Sequence, residues 1–147
     1  MTKLSRSIEI EASPEKVFAF ITDMKKLNEI TKGFQEAEIT SKGPLAVGST
    51  GHIVGKAGGS QMEFDVEITE FEKNKKLIMH AIGGSKLKMQ YSDILEPTAK
   101  GTKLTFTNDY KPPYSILGKI VDKLVTHKNA EKNMERYQTN MKKALED

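Results

Sequence analysis

From Tyr114 to Asp147 the chain carries no proline, and beyond Gly118 it carries no glycine. Lys, Glu, Leu, Met, Ala and Arg dominate the stretch, all residues that enter a helix at little cost. The Pro112-Pro113 pair ahead of it sets where such a helix begins. Ile116, Leu117, Ile120, Val121, Leu124 and Val125 recur three and four residues apart, the spacing of one buried helical face. A helix of roughly thirty residues would be about 45 Å long at 1.5 Å per residue, beyond the ordinary globular helix. The rest of the chain therefore has to build a surface long enough to receive it.

Most of what precedes is strand. Ile8 and Ile10 alternate with Ser7, Glu9 and Glu11 in a half-buried pattern. Ser13 and Pro14 then supply an N-cap and a first helical residue, with Glu15 near the positive end of the dipole. Val17, Phe18, Phe20, Ile21 and Met24 give this short helix its apolar face. Leu27, Ile30 and Phe34 mark a second one, with Gly33 as its left-handed C-cap. From Ala37 onward the period is two. Strands are expected at Ala37–Ile39, Val47–Lys56, Met62–Ile68, Leu77–Ile82, Leu87–Tyr91 and Leu104–Tyr110. Gly43-Pro44, Gly58-Gly59, Asn74, Gly83-Gly84 and the segment 96–101 serve as turns. Short turns between consecutive strands make antiparallel neighbours. About seven strands with one apolar face need a cover, and only the C-terminal helix is long enough. The expected architecture is α+β, a curved antiparallel sheet wrapped around a long C-terminal helix, with two short helices after the first strand.

At 147 residues, 37% hydrophobic and 29% charged, one core suffices and a single domain over 1–147 is expected. Cysteine is absent, which excludes disulfides and thiolate-bound zinc. The 23 Lys and Arg are interspersed with 20 Asp and Glu, giving a net charge of +3. Such a mixed surface argues against a nucleic-acid partner, which calls for clustered basic residues. The opening MTKLSRSIEIEASPEK lacks a signal-peptide apolar core, and no run reaches the ~18 apolar residues of a membrane span. A soluble cytoplasmic protein without stable membrane insertion is expected, and its oligomeric state is not legible.

The opening strand followed by Ala12-Ser13-Pro14-Glu15-Lys16-Val17-Phe18 resembles the first strand and helix entry of the START-like helix-grip superfamily, the SRPBCC proteins. The run DILEPTAKGTKLTFTNDYKPP, with Leu117-Gly118 after it, is similar to that superfamily's last hairpin and helix entry. The resemblance covers the chain in element order and implies the helix-grip fold. It also implies a function drawn from a varied set: carriers of hydrophobic ligands, aromatic polyketide cyclases, quinone-binding proteins and chaperone activators. These share no catalytic residue. Many relatives place a Trp in the second short helix, where this chain reads Lys26-Leu27-Asn28-Glu29-Ile30.

Chemistry-bearing clusters are few. His52, His80 and His127 are far apart, and no HxxxH or HExxH spacing occurs, so neither a metal nor a cofactor is expected. Gly58-Gly59-Ser60 and Gly83-Gly84-Ser85 precede no helix and fit hairpin turns better than phosphate loops. The expected function is binding of a small hydrophobic or amphipathic molecule (lipid, quinone or polyketide-like) between the sheet and the helix, without catalysis. Candidate lining residues are Met62, Phe64, Val66, Tyr91, Phe106, Leu117, Val121 and Leu124, with His80 and Asn108 as polar groups among them. Alternation puts His80 with Ile78 and Ile82, opposite Leu77, Met79 and Ala81, without saying which face is inward. An inward Asp93, sharing a face with Tyr91, would be costly unless paired. Alternatives are a cyclase- or dehydratase-like enzyme using His80, Tyr91 or Asp93, and an interaction module such as a chaperone regulator or membrane-associated assembly factor. On the long helix, the stripe of Leu117, Ile120, Val121 and Leu124 is expected to border the pocket. A second stripe, Met134, Tyr137, Met141 and Leu145, is expected to anchor on the sheet and the first strand. A bend near residues 126–133 fits equally.

Overall fold

The computed structural model describes residues 2–57, 60–82, 88–111 and 127–146. The Gly58-Gly59 and Gly83-Gly84 turns, Leu87, the Pro112-Pro113 break, the His127 imidazole and the first helical stripe lie outside the described residues.

Strand β1 (Thr2–Ile10) leads into α1 (Pro14–Ile21) and α2 (Met24–Ile30). Six strands follow: β2 (Gln35–Ile39), β3 (Thr50–Ala57), β4 (Ser60–Glu72), β5 (Lys76–Ile82), β6 (Lys88–Pro97) and β7 (Thr102–Lys111). The helix α3 (His127–Glu146) closes the described chain. All seven strands form one antiparallel sheet in the order β1-β7-β6-β5-β4-β3-β2. The expected α+β helix-grip architecture is borne out.

Local chemistry accounts for the element ends. The Ser13 hydroxyl accepts from the Lys16 N–H, and Pro14 takes the first position of α1. Asp23 caps α2 in the same way through Lys26, a cap the sequence reading passed over. The C-cap of α2 is Thr31 rather than Gly33, whose φ of +97° lies in the turn beyond it. Thr31 binds the Leu27 and Gln35 carbonyls through one hydroxyl, which takes over the helix end. Asn74, at φ +66°, makes the β4–β5 turn as expected.

The inward face of β4 runs through Phe64, Val66 and Ile68. A register shift between Ile68 and Glu70 inserts Thr69 as an extra residue. The bulge changes parity, so Phe71 returns to the concave face and meets Phe18 of α1 edge-on at 5.3 Å. One end of that face is solid: α1, α2 and the distal part of α3 pack Val17, Ile21, Leu77, Leu95, Leu104 and Met141 together. Toward the other end the apolar residues divide into two smaller clusters, around Phe64 and around Tyr110.

Both sheet edges are occupied by side chains. Gln138 and Lys142 of α3 donate to the Arg6 and Glu9 carbonyls of β1, each at 2.8 Å. At β2, Asn28 pairs with Ala37. These contacts fasten α3 and α2 along the rims of the sheet.

Candidate functional site

Where the clusters separate, the concave face holds a recess of about 570 Å³. Its wall is built by strand alternation. Phe64 and Val66 of β4 face inward, and their register with β5 turns Ala81 and Met79 inward beside them. Met79 lies opposite Tyr91 of β6, and Tyr91 lies opposite Asn108 of β7. Phe106 and Tyr110 share the Asn108 face by period two.

The rings form a continuous row. Phe64 and Tyr91 centroids are 6.3 Å apart, Tyr91 stacks on Phe106 at 5.7 Å and 29°, and Phe106 meets Tyr137 of α3 at 5.4 Å. Offset and tilted contacts of this kind suit the ring quadrupoles. The row crosses from the middle of the sheet to the helix, with Met62 at the half-exposed rim.

Two side chains in this wall carry a buried carboxylate or amide oxygen that is unpartnered among the described residues. Asp93 lies opposite Leu77 and Phe106, is 6% exposed, and its Oδ1 has no hydrogen-bond partner. Burial pushes its carboxyl up to about 7. The Oδ1 of Asn108 is likewise buried and unpartnered. The Tyr91 hydroxyl is held well above its ordinary value by burial. Tyr137 is raised by burial first and by the Asp93 charge second.

Of the expected lining residues, Met62, Phe64, Val66, Tyr91, Phe106 and Asn108 are brought together here. Leu117, Val121 and Leu124 lie outside the described residues. His80 is a correction. The β4–β5 register turns Leu77, Met79 and Ala81 inward, which sends His80 to the convex face. There its Nε2 is 2.7 Å from Oε1 of Gln90, the residue directly opposite. The second stripe of the long helix anchors on the sheet and the first strand as expected: Met134 clusters with Leu4 and Tyr110, Met141 joins the core with Ile10 and Leu104, and Gln138 and Lys142 add hydrogen bonds to β1 carbonyls. Met134 and Tyr137 also line the recess. The ring of Tyr110 is buried against Leu4 and Met134. Met79 and Met89 line the recess as well, on the face set by their alternation with Ile78 and Gln90.

On the convex face His52 bridges two carboxylates, Nδ1 to Asp65 at 2.8 Å and Nε2 to Glu63 at 3.1 Å. Both ring nitrogens are thereby engaged. Among the described residues no three His, Asp or Glu side chains are grouped to hold a metal ion, and no helix is long and apolar enough to cross a membrane.

The family model described as polyketide cyclase/dehydrase and lipid transport matches residues 1–146. The chain belongs to that family. Among curated protein sequences none matches. Solved structures similar to it include TTHA0849 from Thermus thermophilus, 18% identical, with a TM-score of 0.83 over 98% of this chain and 97% of that one. CV1439 from Chromobacterium violaceum is 14% identical, with a TM-score of 0.73 over 100% and 99%. The Aha1 dimer from Colwellia psychrerythraea is 23% identical, with a TM-score of 0.66 over 99% and 97%. At these identities the likeness concerns the fold. The family description points to a hydrophobic-ligand fold.

Proposed function

We propose that this protein binds a small hydrophobic or amphipathic molecule, such as a lipid, quinone or polyketide-like compound, in the recess between the sheet and the C-terminal helix. One observation carries this: a volume of about 570 Å³ walled by the Phe64–Tyr91–Phe106–Tyr137 row and left open where the adjoining core is solid. Ligand sites are typically apolar spaces of this size with a few polar groups that fix orientation. The driving force would be removal of apolar surface from water, about 25 cal/mol per Å².

Ala130 borders the recess from the helix, so Ala130→Phe places a ring in the space without disturbing the sheet. The wild-type protein is expected to enhance Nile red fluorescence and to carry a hydrophobic compound in native mass spectrometry when purified from its own source. Ala130→Phe is expected to lose both while keeping its circular dichroism spectrum. A wild-type protein that neither takes up Nile red nor carries any compound would sink the proposal.

One observation favours a second reading, an enzyme of the cyclase or dehydratase kind. A carboxyl poised at about 7 and facing the recess, beside Tyr137, suits general acid–base work at neutral pH. Under that reading Asp93→Asn abolishes turnover of a bound polyketide-like chain and leaves its affinity unchanged.

A further inference from the structure

In the wall of the recess, Asp93 and Asn108 are the polar side chains whose Oδ1 no hydrogen bond answers among the described residues. Asp93 lies opposite Phe106, and Asn108 lies two residues further along β7, opposite Tyr91. The two are therefore diagonal neighbours on the concave face, on either side of the Tyr91–Phe106 stack. A buried acceptor left unanswered costs about 1–3 kcal/mol, and more when charged. A ligand that supplies the missing donor recovers that cost on binding.

We propose that the ligand presents a hydroxyl group to Asp93 and Asn108, so that the recess selects an alcohol or phenol over a carboxylic acid of the same shape. This rests on the ligand-binding function proposed above and adds the chemistry of the ligand's polar end.

The charges of the described lining residues disfavour an acid head beside Asp93. Lys56 is the one Lys or Arg among the described lining residues, and its side chain is exposed at the rim. A carboxylate beside Asp93 would be a like charge in a low-dielectric space without a counter-ion. Asp93 presents oxygen in either orientation of its carboxyl. Asn108 presents oxygen or N–H according to how its amide is turned. A hydroxyl donates once and accepts twice, so it can donate to one of the two oxygens and accept from the other residue where that residue is a protonated Asp93 or an Asn108 turned to present its N–H. The carboxyl at about 7 also exists in both forms near neutral pH. A hydroxyl donates to the ionised form and accepts from the protonated one, whereas a second carboxylate accepts only from the protonated form.

The test is displacement of Nile red from the full-length protein near pH 7 by 2-naphthol, 2-naphthoate and 2-methylnaphthalene, which share one ring system. The expected result is 2-naphthol binding about tenfold tighter than either of the others, as one answered buried acceptor implies. That preference is expected to vanish in Asp93→Leu and to weaken in Asn108→Leu, with folding followed by circular dichroism. Equal or tighter binding of 2-naphthoate overturns the proposal on the wild-type protein alone, and so does a preference that survives in folded Asp93→Leu. Failure to bind Nile red, together with no compound carried in native mass spectrometry, removes the ligand-binding function and this inference with it. Binding of Nile red with no preference for 2-naphthol removes only this inference.

Discussion

The side-chain amide of Asn28 pairs with the backbone of Ala37 as a neighbouring strand would. It donates to the Ala37 carbonyl at 2.8 Å and accepts from the Ala37 N–H at 2.9 Å. Ala37 lies on β2, the outermost strand of the sheet. An outer strand with free N–H and C=O groups is a template for another chain. One Asn from α2 occupies that position and ties the helix to the sheet beside the recess.

Asn28→Ala is therefore expected to have two effects. Loss of both hydrogen bonds at a half-buried site lowers stability by about 1–3 kcal/mol, read by thermal unfolding. The bared edge raises self-association at high concentration, read by light scattering. An unchanged melting temperature together with unchanged scattering would count against the edge role.

Gly101 is required by what surrounds it and not by its own backbone angles. A methyl group there would overlap the Ile10 carbonyl and lie 2.7 Å from the Ala12 nitrogen and 2.8 Å from its oxygen. Thr102, the next residue, donates to the Ala12 carbonyl at 2.8 Å, so the β6–β7 turn is locked on the β1–α1 junction. Backbone atoms cannot yield as a flexible side chain can. Gly101→Ala is expected to cost about 1–3 kcal/mol in thermal or chemical unfolding. The control is Gly55→Ala, where a methyl meets nothing within 4 Å and overcrowding is not expected.

The burial of Asp93 makes stability depend on pH. Its carboxyl is raised from 3.8 to about 7 by desolvation, so the fold accommodates the protonated form. Stability is full below the unfolded value of 3.8, falls as pH rises toward the folded value of about 7, and levels off beyond it. The total loss is on the order of 4 kcal/mol. Asp93→Asn keeps the shape and removes the charge. Urea unfolding is expected to show the variant close to wild type near pH 4 and clearly more stable near pH 8. Parallel curves at the two pH values would contradict a buried carboxyl.

His52 behaves oppositely in cause. Hydrogen bonds donated to Asp65 and then Glu63 raise its imidazole above 6.5. The stability it contributes is present below that unfolded value and is lost as pH rises through the folded one. An NMR titration of the His52 ring is expected to give a value above 6.5. Asp65→Asn should lower it more than Glu63→Gln. A ring that titrates identically in all three proteins would show that the bridge does not persist in solution.

Much of the fold could be read from the chain because its signals are local. The Ser13-Pro14 cap, the alternation from Met62 to Ile68 and the left-handed Asn74 turn each act within a few residues. They specify element type and order, which is enough to name a sheet wrapped around a helix. Local signals also marked Phe64, Val66, Tyr91, Phe106 and Asn108 as residues of one face.

What alternation leaves open is which face is inside, because a period of two is symmetric. Pairing across strands decides it. The register of Val66 with Ala81 sent His80 outward to Gln90, and the Thr69 bulge returned Phe71 to the core. The recess is a tertiary fact of the same kind. Its row of rings draws on three strands and a helix. Asp93 in its wall is informative only once the described residues around it are known to offer its Oδ1 no partner. Sequence determined the architecture because caps, turns and periodicity are short-range. The position of every side chain in the wall was decided by contacts between residues far apart in the chain.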